Sequence, residues 1–222
     1  NNTVTTDGRF GMGVIVGGSS NTLAGGCIGD GFIGAGSSND VCNGGYIVGG
    51  FSNVSCGAND FIGAGRNNTL SGYNNQESAI VGGCCNTISG NSCKQSFIGG
   101  GCKNIINSAN NAVIVGGTLN TASAACSFIG GGYQNSLNTS STVSDYDSSG
   151  NPIYVTVGTG SVIVGGTLNT SSADNSFIGG GCKNKIPSGY REGSVIVGGT
   201  NNSTISGYYG PGFKNTFIGG GS

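Results

Sequence analysis

The stretch that decides the fold reads Val113-Ile114-Val115-Gly116-Gly117 and, one unit later, Phe128-Ile129-Gly130-Gly131-Gly132. Each has a short apolar centre, glycine after it, and an asparagine six residues beyond the isoleucine, at Asn120 and Asn135. Reading outward in both directions, the pattern occurs twelve times, centred on Ile15, Ile33, Ile47, Ile62, Ile80, Ile98, Ile114, Ile129, Ile163, Ile178, Ile196 and Ile218. Wherever the chain continues, Asn stands six residues on: Asn21, Asn39, Asn53, Asn68, Asn86, Asn104, Asn120, Asn135, Asn169, Asn184 and Asn202. Gly stands three residues after every one of these isoleucines. Most spacings are 14–18 residues; the gap of 34 between Ile129 and Ile163 lacks a second centre and reads as one unit carrying an insertion.

A period this short is too small for a pair of helices and fits one β-coil per unit. Each unit then has a strand around Ile, a Gly-Gly corner, a second short strand after Asn and a return loop. Glycine supplies the positive φ a corner needs. The asparagines predict a ladder, each side-chain amide bonding its neighbour one coil away, at about 4.8 Å. The expected fold is therefore all-β, a parallel β-roll or β-solenoid of about twelve short coils, a rod of roughly 58 Å. It forms a single repeat domain over 1–222, with a hairpin insertion over 133–160.

The units alternate without a break between two types, x-Ile-Val-Gly-Gly and Phe-Ile-Gly. Residues on either side of Ile share one strand face. One unit offers Val plus Val there (Tyr46 or Ala79 at the first site in two of them), and the next offers Phe plus Gly. A large residue beside none matches two medium ones, which is volume compensation between stacked layers. That face is expected inside the coil. Ile and small neighbours such as Ser78, Ser96 and Ser176 would then form the opposite face. An exposed column of isoleucines is an apolar stripe that soluble monomers rarely tolerate. The expectation is a homotrimer around an Ile-lined axis. A monomeric solenoid with about 32 residues per turn, Val-type and Phe-type strands forming opposite walls, explains the alternation equally well but not what covers Ile.

Composition narrows the function. Glycine supplies 48 of 222 residues; Lys+Arg number 8, Asp+Glu 9, and His is absent. Without a basic cluster there is no electrostatic footprint of a nucleic-acid binder. Three prolines cannot sustain a collagen helix. No apolar run is long enough to span a membrane as a helix, and the polar start Asn1–Asp7 is no signal peptide. With no His, the usual general base and triad are missing. The Gly-Gly-Gly-Cys-Lys-Asn runs at 99–104 and 179–184 lack the Lys-Ser/Thr of a phosphate loop. No enzyme, cofactor or metal site is expected.

The units resemble a known family. Ser161-Val162-Ile163-Val164-Gly165-Gly166 and Asn175-Ser176-Phe177-Ile178-Gly179-Gly180 are similar to the Asn-Ser-Val-Ala-Ile-Gly repeat of YadA-like heads. The resemblance implies a left-handed parallel β-roll of the kind found in trimeric autotransporter adhesins and in fibre proteins of phages and large viruses. Two departures stand out: several units reach 18 residues where the family repeat is close to 14, and Ile often stands where the family has a small residue. The chain stops at Ser222 inside a unit, with no neck, stalk or anchor, and reads as a piece of something longer.

Nine cysteines, an odd number, exclude full intrachain pairing. Cys84, Cys102 and Cys182 share one column, and stacking of consecutive units would bring Cys84 and Cys102 within disulfide reach. Cys27, Cys42 and Cys56 recur at near-repeat spacing in the return loop. Small semi-buried fillers and loop disulfides are both open readings. Cysteines suit a protein assembled in a reducing cytoplasm, which favours a virion fibre over a bacterial adhesin.

Function on a rigid scaffold usually sits in loops. Thr142–Tyr146 and Ile153–Val157 alternate like strands around the turn signal 147–152. This hairpin, with Asp145, Tyr146, Asp147 and Tyr154, is a candidate receptor contact or a clamp on a neighbouring chain. A second cluster, Tyr190, Arg191, Tyr208, Tyr209 and Phe213, offers aromatic platforms suited to sugar rings or a cap on the end of the stack. The expected function is a structural, non-catalytic, host-attachment segment of a trimeric virion fibre at the virion surface, binding a cell-surface receptor or glycan. Alternatives are the head of a bacterial cell-surface adhesin and a monomeric solenoid such as an ice-binding protein.

Overall fold

The computed structural model describes residues 1–6, 12–25, 30–72, 75–91, 93–146, 152–188, 193–204 and 215–221. The chain is an all-β parallel solenoid with no helix among these residues. One twelve-stranded parallel sheet holds the isoleucine strands, from Gly13–Ile15 to Phe217–Ile218. An eleven-stranded parallel sheet holds the ten strands that follow the asparagines from Asn21 to Asn184, together with Thr3–Thr6. A line of single bridges, Ser37↔Phe51↔Arg66↔Cys84↔Cys102 and onward, joins the corners.

Consecutive units pair in register, Ile98 against Ile114 and Ile114 against Ile129, so one unit makes one turn. This replaces the two-unit turn of about 32 residues. The solenoid has about ten turns, fewer than the twelve expected. A closed turn needs both strands, and the last two isoleucine strands, Val195–Ile196 and Phe217–Ile218, are followed by no regular second strand among the described residues.

The faces are the reverse of those expected. Ile33, Ile47, Ile62, Ile80, Ile98, Ile114, Ile129, Ile163, Ile178 and Ile196 are fully buried within the single chain, and Ile15 and Ile218 pack against the same cluster. They meet a column from the other sheet, two residues after the Asn: Leu23, Val41, Leu70, Ile88, Ile106, Ala122, Leu137 and Ile186, with buried Ser55, Ser171 and Thr204 at the same position in the other three units. The two sheets close over both columns, and each enclosed Ile contributes about 1.5–3 kcal/mol. The isoleucines therefore line the interior of one coil and are not a contact between copies. Val and Phe point outward.

Polar ladders satisfy the backbone where the chain turns. Each column Asn is buried or nearly so. Asn86 donates through Nδ2 to the carbonyls of Gly82 and Gly101, both at 3.0 Å. Its Oδ1 accepts from the Asn104 N–H at 3.0 Å. The ladder thus runs mainly from side chain to backbone; direct amide–amide bonds occur at steps such as Asn120 to Asn104, 3.1 Å. Gly83 shows why the corner is glycine: its φ is +88°, and a Cβ there would sit 2.2 Å from the Gly101 carbonyl oxygen. A second ladder uses the residue two before Ile. Ser96 N–H donates to Ser78 Oγ (3.2 Å), and Ser78 N–H to Asp60 Oδ1 (3.0 Å).

The insertion forms an antiparallel hairpin, Ser140–Tyr146 with Pro152–Val157, with a register shift between Val143 and Asp145. Its base is pinned by Asp174, whose Oδ1 accepts from the N–H groups of Gly158 and Thr159, both at 2.7 Å.

Candidate functional site

The outer face of the isoleucine sheet is built from the two alternating unit types. In Val-type turns the residues flanking Ile stand out from the sheet, and Val48, Val81, Val115, Val164 and Val197 are each 48–50% exposed. In Phe-type turns the ring lies along the strand over the glycine two residues on. A Cβ added to Gly34, Gly63, Gly99 or Gly130 would meet its own turn's Phe Cε1 at 3.4–3.5 Å. The same Cβ would stand 2.3–2.4 Å from the carbonyl oxygen of the next turn's Val. Glycine is thus required by the backbone beside it, while the ring would only touch the added carbon. Phe61, Phe97 and Phe128 are 36–39% exposed.

The result is a continuous apolar stripe along the solenoid, with no charged side chain at the positions flanking Ile. Compensation of Phe plus Gly against Val plus Val is present, but on the outside. On the corner column Phe51 and Tyr133 are half-exposed among Ser, Thr, Cys and the exposed Arg66. Twelve strands at about 4.8 Å, each offering the three residues centred on Ile at about 3.3 Å apiece, make a face of roughly 58 by 10 Å, about 600 Å².

The hairpin candidates are placed by backbone only. Asp145 and Tyr146 lie on its outgoing strand and Tyr154 on its return strand, paired with Val143. Asp147, Tyr190, Arg191, Tyr208, Tyr209 and Phe213 lie outside the described residues. Among the described residues no group of three or more His, Cys, Asp or Glu could hold a metal ion, and no helix is long and apolar enough to cross a membrane.

The cysteines divide by column. Cys42 and Cys56, one turn apart, are disulfide-bonded. Cys84 and Cys102 face each other across the corner line with Sγ atoms 2.7 Å apart. The hydrogen bond with Cys102 holds the Cys84 thiol above the ordinary thiol range. Cys93 is buried, and its thiol is pushed up by that burial.

No protein-family model matches the chain, and no curated protein matches it.

The outward stripe was within reach of sequence reasoning. The signal is the position two residues after Asn, apolar in eight of eleven units, which needs an apolar partner inside the coil and finds it in Ile.

Proposed function

We propose that this chain is a structural, non-catalytic attachment segment: a rod that assembles as a homotrimer in a virion fibre or spike and presents loops to a cell-surface receptor or glycan. The observation that carries the reading is the charge-free Val/Phe stripe. Soluble monomers rarely leave an apolar patch larger than about 300–600 Å² open. A face of about 600 Å² stands at the top of that range and approaches the roughly 800 Å² that one partner contributes to a stable protein–protein interface. A straight stripe on each of three parallel rods lines a common axis, so the axis of the proposed trimer is Val and Phe, with Ile inside each coil. The YadA-like resemblance supports the same assembly.

The test is sedimentation or light scattering of the full chain beside a Val81→Glu, Val115→Glu, Val164→Glu variant. The expected result is a trimer that the three outward charges reduce to a folded monomer. A wild-type monomer would remove the proposal, and if it slowed ice growth the solenoid would read as an ice-binder. For the attachment role, a glycan array compares the wild type with a deletion of residues 140–157. Unchanged binding would reduce the hairpin to a structural element.

A bacterial cell-surface adhesin head is the second reading. The Cys42–Cys56 disulfide suits this surface as it does a virion's, because disulfides persist in oxidising surroundings.

A further inference from the structure

We infer that Cys84 and Cys102 form a reversible redox site: a second inter-turn disulfide, closed by a low-molecular-weight disulfide of the glutathione class and opened by thiols. The two residues are bridge partners on consecutive turns, 18 residues apart in sequence. Their backbones are fixed by the solenoid itself. Cys84 N–H donates to the Gly101 carbonyl (2.9 Å), Cys102 N–H to the Gly117 carbonyl (3.0 Å), and Lys103 N–H back to the Cys84 carbonyl (2.9 Å). Stacked parallel strands stand about 4.8 Å apart, inside the span of about 4.4–6.8 Å that a disulfide bridges between Cα atoms. The sulfurs, at 2.7 Å, are already in contact. Both side chains are half-buried, so a small oxidant reaches them. The chain already uses this relation once, between Cys42 and Cys56, one turn apart with Cα atoms 4.6 Å apart.

Cys85 is the competing thiol. It follows Cys84 directly with a φ of 56°, and its N–H is held by the Arg66 carbonyl at 2.9 Å. Neighbouring Cα atoms across a trans peptide are about 3.8 Å apart, short of the disulfide range. The ladder bonds on both sides prevent the peptide from rearranging. Cys84 therefore pairs across the turn.

The chemistry balances as two exchanges. One protein thiolate attacks the small disulfide, forming a mixed disulfide and releasing one small thiolate. The second protein thiolate attacks the protein sulfur of that mixed disulfide and releases the other. Two electrons pass from the protein thiols to the small disulfide, and the two protons end on the released small thiols. The product ties two turns near the middle of the rod, where each turn otherwise holds only its neighbours.

The experiment incubates the full chain with glutathione disulfide, blocks remaining thiols with iodoacetamide, and maps peptides by mass spectrometry. The expected result is a linked peptide pair carrying Cys84 and Cys102, released by dithiothreitol and retained in Cys85→Ser. Alkylation of both residues under conditions that keep Cys42–Cys56 bonded would overturn the inference. So would a link through Cys85 in place of Cys84, or loss of the link in Cys85→Ser. Single-molecule extension gives an independent readout against Cys102→Ser, a residue the same column accepts at Ser19 and Ser37. Oxidised wild type should extend roughly 60 Å less, the length of the 18-residue loop taken out of play. Equal lengths would contradict the staple.

Discussion

Asp60 occupies the position two before Ile62, where most later turns carry Ser, and it is fully buried. Burial pushes its carboxyl from 3.8 up to about 6, against the opposing hydrogen bonds of the Ser78 and Gly57 backbone. Oδ2 has no partner of hydrogen-bonding geometry. A folded-state pKa above the unfolded one means that folding favours the protonated acid. The stabilisation is complete below about pH 3.8 and is lost as pH rises through about 6. Two pKa units correspond to about 3 kcal/mol. Asp60→Asn keeps the shape and the acceptor for Ser78 N–H but carries no charge at any pH. The variant should match wild type near pH 3.5 and exceed it at pH 7.5 by up to about 3 kcal/mol, about 6–12 °C in Tm for a chain of this size. Asp60→Ser, which recreates the Ser78 arrangement one turn on, should lose the same pH dependence. The assay is thermal unfolding by circular dichroism at several pH values, with hydrogen exchange at Phe61 and Ser78 as a local readout. Parallel curves for wild type and Asp60→Asn from pH 3.5 to 7.5 would refute the reasoning.

Five other substitutions probe the architecture through urea unfolding of the purified chain. Gly83→Ala places a Cβ against the Gly101 carbonyl in a left-handed backbone and should cost at least about 2 kcal/mol. Gly116→Ala, with nothing within 4 Å of the new Cβ, should be neutral or gain up to about 1 kcal/mol. Asn86→Ala removes three hydrogen bonds and orphans the Asn104 N–H, an expected loss of about 3 kcal/mol. Ile114→Ala should cost about 2–5 kcal/mol, whereas Val115→Thr, its outward neighbour, should cost under about 1 kcal/mol of fold stability and weaken self-association measured by sedimentation.

The period, the parallel coil and the glycine corner were legible because each repeats within the chain and each has one physical cause. The orientation of the strands was not. Alternation tells which residues share a face, but it is silent on which face is inside when both are apolar. The deciding information lay in Leu23, Leu70, Ile88 and Leu137 on the second strand, which are buried opposite the isoleucines. Regularity pointed the same way. The interior has constant width, so its Ile never varies, whereas the outer sites accept Tyr46 and Ala79. The direction of the asparagine bonds was hidden as well. Only the fold shows that the amide hydrogens reach the glycine carbonyls of two turns.

Volume compensation means something different outside a protein than inside it. In a core, a large residue beside a small one prevents a cavity, and the cost of a cavity enforces the pairing. On a surface that meets only water, relief costs nothing, because solvent fills any hollow. Yet here the turns that carry Phe carry Gly beneath the ring, and the turns that carry two valines have none. The valines after Ile in five of the six Val-type turns differ in exposure by no more than two percentage points; the sixth, Val16 on the edge strand, is 71% exposed. A face held level over the length of the rod is what a solid neighbour requires. The regular face fits the proposed assembly, in which the Val/Phe stripe meets a further copy of this chain, a surface that has the same period by construction.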